Sequence, residues 1–510
     1  MGFKAWNLLR MAQLLLPVPP AFVIGTRYCL DPEARAQATK PDLWRSALQA
    51  LEQSAGRVLG DSRHPLLLSV RSGAPVSMPG MMETLLNIGL CDATVAGLLR
   101  QTGNPRLVWD AYRRLVATYG EVVAGLPAQL FDDVRTALFG AQDERQLDFA
   151  DLRLLTRRCL EAFAQAAGRP FPQTPSEQLA EAIEAVLASW TSAKACEYRR
   201  LNGIPDTIGT AVTVQCMVFG NAGGQSGAGV GFTRDPASGE PALWVDFLFD
   251  AQGEDVVSGR RSANGHDQLA AVLPDVWQQL SDAARRLEQA FGDMQDFEFT
   301  VQEGRLFMLQ TRSGKRTPLA AARIALDLLE EGVISQGLAL DRTAAIDRGA
   351  LARTRLVAQT EGRFEPLTPL GRAATASHGI AVGEIALDEA RAALRHGAGV
   401  PVVLVRRDAE TGDLAALELA VGLLTQRGAR TSHAAVVARQ LGKVCLVGCS
   451  ALEIDEGART ITAGGRSLHE GELLTLDGND GAFYAGAGQV AIDYPEGLLA
   501  RMMALRQSGA

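Results

Sequence analysis

TSHAAVVARQLGKVCLVG, residues 431 to 448, sets a histidine at the junction between a strand and a helix. AVGLLT, residues 420 to 425, precedes it as a buried strand, nothing from His433 to Leu441 breaks a helix before Gly442, and KVCLVG follows as another strand. His433 therefore falls in the first turn of the helix, with Thr431 or Ser432 as N-cap. Free N–H groups and the positive end of the dipole at that turn attract anions and disfavour an imidazolium, by about 0.3–1 kcal/mol. An imidazole that ordinarily titrates at about 6.5 is thereby biased toward its neutral, nucleophilic form at pH 7, and the same turn can hold a phosphate that the ring acquires. A lone histidine near a helix start is more often structural than catalytic, so the rest of the chain has to decide.

DMQDFEFTVQEGRLFMLQTRSGKRT, residues 293 to 317, has the alternation of a β-hairpin. A three-residue loop Glu303-Gly304-Arg305, with the glycine at positive φ, pairs Glu298 with Gln310 and Asp296 with Arg312. It places Phe297, Phe299, Val301, Phe307 and Leu309 on the other, apolar face. Asp296, Glu298 and Gln310 are then oxygen donors on one rigid surface, a set suited to Mg²⁺ shared with phosphates, and Arg312 can neutralise a phosphoryl oxygen. An exposed cross-strand ion pair is the alternative. Arg71, in SVRSGA after the apolar run PLLLSV, ends a buried strand where a guanidinium needs an anionic partner. The glycine-rich stretches 220 to 231 and 77 to 82 are either backbone that approaches a polyphosphate or a pair of tight turns, and neither has Walker spacing.

TSHAAVVAR, followed by LGK and a cysteine-containing strand, resembles the phosphohistidine segment of pyruvate, phosphate dikinase and its relatives, the phosphoenolpyruvate-utilising enzymes. SVRSGAPVSMPGMMETLLNIGL at 69 to 90, QCMVFGNAGGQSGAGVGFTRDPASGE at 215 to 240, AQGEDVVSG at 251 to 259, and the hairpin segment resemble the nucleotide-binding part of the same family, in the same order. The resemblance implies an α/β (α+β) chain in which an ATP-grasp-type nucleotide-binding domain, residues 1 to 345 with a helical portion near 105 to 200, is followed by a linker at 346 to 365. A swivelling β/α phosphohistidine domain at 366 to 492 and a helical tail at 493 to 510 complete it. The helical stretch from Leu319 to about Thr360 suits either a solvated linker between moving parts or a packed helix pair.

The same resemblance makes His433 the phosphorylated residue and Lys4, Arg71, Asp246, Gln310 and Arg312 nucleotide contacts. Asp296, Glu298 and Gln310 become the Mg²⁺ ligands, with ATP as substrate, and Thr431 a regulatory position that N-capping explains equally well. Three departures stand out. Phe3 replaces a glycine beside Lys4, Val245-Asp246 stands where the family has Gly-Glu, and Gly428-Ala429-Arg430 stands where it has Gly-Gly-Met, which brings a cation close to His433.

The dikinase version implies that ATP pyrophosphorylates His433 with release of AMP, after which inorganic phosphate takes the outer phosphoryl as pyrophosphate. The family's pyruvate and phosphoenolpyruvate barrel, with its catalytic cysteine, has no counterpart before Ala510. The expectation is therefore a separate barrel protein as acceptor, with a different acceptor, a fragment, or a non-catalytic ATP-sensing module as alternatives. A homo-oligomer is compatible with all of these.

Composition agrees with an ordinary globular enzyme of several domains, at 510 residues, 47% apolar and 21% charged. A net charge of −8 without a long basic run argues against nucleic acid or an acidic membrane surface as partner. Seven scattered cysteines without a CxxC pair point to a reduced, cytoplasmic protein, and the apolar stretch after Lys4 and Arg10 is too short and too broken by Pro17, Pro19 and Pro20 for a signal peptide. His64, His266, His378, His396 and His469 are expected at solvated positions.

Overall fold

The structure, a computed structural model, describes residues 2–508 apart from 77, 79, 80, 141, 143, 258–263, 358–367, 409–412 and 431. It is mixed α/β and divides into two compact units, Met1–Gly224 with Phe307–Gln310, and Gln225–Leu306 with Thr311–Ala510.

In the first unit, strands β1 (Ala21–Ile24), β2 (Leu68–Gly73), β3 (Thr84–Ile88) and β4 (Ala211–Cys216) form an antiparallel sheet in the order β1-β4-β2-β3. Leu68, Val70, Leu85, Val212 and Val214 turn into one core with Tyr112, Phe163 and Leu187 from the helices that fill the 105 to 200 stretch. Those helices begin where their sequence says they should. Asn104 caps Pro105–Val122 by accepting from the Leu107 N–H, and Asp148 caps Phe149–Ala167 from both the Ala150 and Asp151 N–H groups.

A sheet in the order β7-β6-β5-β8-β9, made of β5 (Gly227–Phe232), β6 (Trp244–Phe249), β7 (Asn264–Gly265), β8 (Gln295–Gln302) and β9 (Arg305–Ser313), belongs to the second unit except for Phe307–Gln310 of β9. Its central strand explains half of the glycine-rich stretch, and the reason is neither a phosphate loop nor a turn. Gly229 pairs with Phe299 and Gly231 with Phe297, and the aromatic rings lie across the glycines. A Cβ on Gly229 would come within 2.4 Å of the Phe299 ring, and one on Gly231 within 2.5 Å of Phe297. The glycines make room for the phenylalanine layer that buries this face of the sheet. Of the second stretch, residues 77, 79 and 80 lie outside the described residues.

The hairpin turn is shorter than expected. Glu303 and Gly304 both take positive φ, 51° and 76°, so the loop has two residues and the conformation of a type I′ turn. Removing one residue from a loop exchanges the faces of the following strand. Accordingly Leu306 and Met308 are the buried residues of β9, and Phe307 and Leu309 are only half-buried. Farther along, the Gly314 N–H donates to the Met294 carbonyl at 2.9 Å, and Arg312 meets Asp296 as expected.

Residues 371 to 485 build an eight-stranded sheet whose spatial order is Gly371–Arg372, Ala482–Ala485, Leu473–Asp477, Ile380–Ala386, Val402–Arg406, Gly422–Thr425, Val444–Val447, Ala374–Ser377. The four neighbours from Ile380–Ala386 to Val444–Val447 run parallel. Their continuous apolar sequences follow from burial on both faces. Val403, Val405, Leu424 and Leu446 face one core, whereas Val402, Leu404, Leu423 and Cys445 face the other with Ala434, Ala435 and Ala438 of the helix His433–Gln440. The helices Pro318–Glu330 and Gln336–Thr343 are a packed pair, sharing a core of Ile324, Leu328, Ala339, Met502 and Leu505 with the C-terminal helix Glu496–Ser508. The end of the expected connector, from residue 358, lies outside the described residues.

Gly229→Ala is expected to destabilise the protein by about 1–3 kcal/mol, since the ring must move for the methyl to fit. Gly224→Ala, with nothing within 4 Å of the added Cβ, should leave the unfolding midpoint unchanged. Chemical denaturation of the two variants checks the contrast.

Candidate functional site

One face of the second unit's five-stranded sheet gathers the chemistry. Directly opposed residues of an antiparallel sheet share a face, and residues two apart along a strand do as well. Val230 lies opposite Asp246 on one side and Glu298 on the other, and Phe232 lies opposite Trp244 and Asp296. Trp244, Asp246, Asp296 and Glu298 therefore stand on the same surface, and the glycine and phenylalanine layer lies behind it.

Arg312 joins this surface by donating from Nε to Asp296 at 2.7 Å. Burial pushes the Asp296 carboxyl above its usual range, with Arg312 pulling the other way and Glu298 adding to the rise. A second cation beside Asp296 would relieve that burial, which is the electrostatic fit of the pair Asp296 and Glu298 to a divalent metal. Among the described residues no group of three His, Cys, Asp or Glu side chains is gathered to hold a metal alone. Two carboxylates that leave the remaining positions to water and phosphate oxygens are the usual Mg²⁺ arrangement. Gln310, the expected third donor, is half-buried on β9, two residues before Arg312. Lys315, which the sequence did not single out, follows Arg312 by three residues; burial and the Arg312 charge hold its amine below the usual range.

The His433 segment comes down on this same face. Ser432 is the N-cap, its Oγ accepting from the Ala435 N–H at 3.4 Å, and His433 is the first helical residue. Thr431 lies outside the described residues. Arg430 donates from Nε and Nη2 to Asp246 Oδ1 at 3.1 and 2.9 Å, and from Nη2 to the Val245 carbonyl at 3.3 Å. Its guanidinium lies 4.2 Å from the centroid of the Trp244 ring, a cation–π distance. Arg439, on the same helix, stands 5.4 Å from that ring and 5.6 Å from Phe232. Asp246 and Arg430, both singled out in the sequence, are thus each other's partners across 184 residues. Asp246, expected as a nucleotide contact, holds a protein cation.

In the first unit, Arg71 is half-buried on β2 opposite Thr213. Lys4, in the first turn of the helix Phe3–Gln13, packs beside Gly73, and the Phe3 N–H donates to the Ala74 carbonyl at 3.1 Å. The two basic residues thus belong to one corner, where the helix start meets the end of β2. His64, His378, His396 and His469 are exposed, as expected; the side chain of His266 lies outside the described residues. Cys445, behind the His433 helix, is buried, which pushes its thiol up to about 12 and removes it as a nucleophile.

"Pyruvate phosphate dikinase, AMP/ATP-binding domain" matches residues 33–268 and 265–332, and "PEP-utilising enzyme, mobile domain" matches 399–481. The chain belongs to the pyruvate, phosphate dikinase family. It is 41% identical over 495 residues to pyruvate, phosphate dikinase of Clostridium symbiosum, covering 95% of this chain and 56% of that protein. Against pyruvate, phosphate dikinase 2 of Zea mays the figures are 41% over 492 residues, 95% and 55%. Against the chloroplastic enzyme 1 of Arabidopsis thaliana they are 40% over 497 residues, 96% and 51%. The chain spans about half the length of these relatives. Among the described residues no helix is long and apolar enough to cross a membrane.

The Asp246 carboxylate is 1% exposed and the Arg430 side chain 20%. Removing the cation strands a buried charge, so Arg430→Met is expected to cost about 3–5 kcal/mol, while the double variant Arg430→Met/Asp246→Asn recovers most of the loss. A double-mutant cycle in urea, with additive losses as the contrary result, checks the coupling.

Proposed function

We propose that this chain performs the nucleotide half of a dikinase reaction. His433 attacks the β-phosphorus of ATP, the bond from that phosphorus to the α-phosphate oxygen breaks, and AMP leaves. Inorganic phosphate then takes the outer phosphoryl from the pyrophosphohistidine, leaving as pyrophosphate, and phospho-His433 passes its phosphoryl to pyruvate on a separate barrel protein. The reading is supported above all by the placement of the His433 segment on the sheet face that carries Asp296, Glu298 and Arg312.

In this reading Asp296, Glu298 and Gln310 hold Mg²⁺, which when bound supplies charge neutralisation to the polyphosphate. Arg312 neutralises the phosphoryl group in transit, and Lys4 and Arg71 hold the nucleotide. The first turn of the His433 helix keeps the ring neutral before transfer and offers its N–H groups to the phosphoryl afterwards. Residues 1 to 345 act as the ATP-binding part and 366 to 492 as the carrier. A carrier that must meet ATP and then a distant acceptor has to move between them.

ATP labelled at the β-phosphate tests the reading. Acid-labile label on the wild type and none on His433→Asn, with AMP released and pyrophosphate formed only when phosphate is present, is the expected result. Tight ATP binding without label would instead favour a nucleotide-sensing module. Asp296→Asn and Glu298→Gln should each lower the labelling rate by about 10²-fold or more while leaving the fold intact, as circular dichroism would show.

A further inference from the structure

Three arginines are buried among the described residues, and two of them are matched by carboxylates: Arg199 by Asp206 at 2.7 Å, and Arg234 by Glu288 and Glu331 at 2.9 and 2.7 Å. Arg439, 1% exposed, is different. Its Nε and Nη2 donate to the Ala376 carbonyl at 3.0 and 2.8 Å, and Nη2 also donates to the Arg430 carbonyl at 3.2 Å. Both partners are neutral. Nη1 is buried with no hydrogen-bond partner, and no carboxylate among the described residues lies within 4 Å of the guanidinium. A guanidinium does not shed its proton in a protein, so a full positive charge with an idle donor is held out of water. Such a group is costly unless a counter-charge arrives.

The place of this cation indicates what arrives. Helical side chains lean back toward the N-terminus, and Arg439 does so far enough to reach the carbonyl of Arg430, three residues ahead of His433. The guanidinium thus lies against the segment that leads into the first turn, where Ser432 caps the helix. Asp235, Asp246 and Asp296 act on it only at a distance, and Asp246 and Asp296 are already engaged by Arg430 and Arg312.

We propose that Arg439 is a positioning residue for the phosphohistidine: it fixes the segment ahead of His433 through the Arg430 and Ala376 carbonyls and supplies the buried counter-charge for the phosphoryl group that His433 carries. Phosphorylation delivers negative charge to a site that already holds an unmatched positive one. The phosphorylated state is thereby stabilised over the free one, and the lifetime of the phosphohistidine against water is lengthened. The inference rests on His433 as the phosphoryl carrier, but not on ATP as the donor.

The test uses the full chain loaded chemically with potassium phosphoramidate, in which the phosphorus–nitrogen bond to the leaving ammonia breaks as the bond to the imidazole forms. The signal counted is the ³¹P resonance that His433→Asn lacks, followed at pH 8, with melting temperatures measured before and after loading. The wild type is expected to melt higher when phosphorylated. Arg439→Met should lose that increment and its phosphohistidine should hydrolyse about ten-fold faster, with Arg439→Lys intermediate. Equal lifetimes in all three, or an increment that survives Arg439→Met, would overturn the proposal. If Arg439→Met does not fold, a wild-type lifetime in Arg439→Lys overturns it, because the lysine lacks the fork that spans the two carbonyls. Failure of ATP to label the wild type, with the phosphoramidate results as expected, would defeat the proposed reaction and leave the role of Arg439 standing.

Discussion

The ion pair between Arg430 and Asp246, with the Trp244 ring beneath the guanidinium, is the constraint on which the arrangement of the second unit depends. It joins a segment three residues from His433, the proposed phosphoryl carrier, to a strand of the sheet that bears Asp296, Glu298 and Arg312. A bonded, largely buried pair is favourable once formed and costly to break halfway, so it discriminates between one seating of the helix and a seating slipped by a residue. The sheet beneath can serve as a seat because its other face is locked by phenylalanine rings set into glycine positions. Rigidity on one face is what lets the opposite face hold charged side chains at fixed separations.

Much of this was legible in the sequence because it rests on local rules. The strand, cap, helix and strand around His433 follow from two apolar runs, Ser432 and Gly442. The shared face of Asp296 and Glu298 follows from the two-residue period, and the meeting of Asp296 with Arg312 from the hairpin register. What failed locally was the turn, where Glu303 takes a positive φ that a non-glycine residue seldom adopts. One residue less in the loop put Leu306 and Met308 inside in place of Phe307 and Leu309.

The remaining features were illegible for a different reason: their cause lies far away in the chain. Glycines at alternate positions look like loop until the rings of Phe297 and Phe299 are known to lie over them. Asp246 looks like a shortened ligand and Arg430 like a cation added beside His433, and only the fold shows one to be the partner of the other. Trp244 carried no signal at all, since an aromatic residue at the start of a strand has many ordinary explanations. Arg439 did carry one, a charged residue in the otherwise apolar run AAVVAR, which a helix buried against a strand does not tolerate without cause.

The charges of the second unit are arranged so that the buried carboxylates of the sheet face, Asp246 and Asp296, are paired with Arg430 and Arg312, while the buried cation of the helix has no carboxylate partner among the described residues. That asymmetry leaves the guanidinium of Arg439, on the helix that begins at His433, without a matching carboxylate among the described residues. A polyphosphate or a phosphohistidine is the kind of group that balances it, and in the proposed reaction each transfer step moves negative charge within a region already built to receive it. Pre-placed dipoles and cations of this kind spend their reorganisation during folding, so little is left to be spent when the phosphoryl group moves.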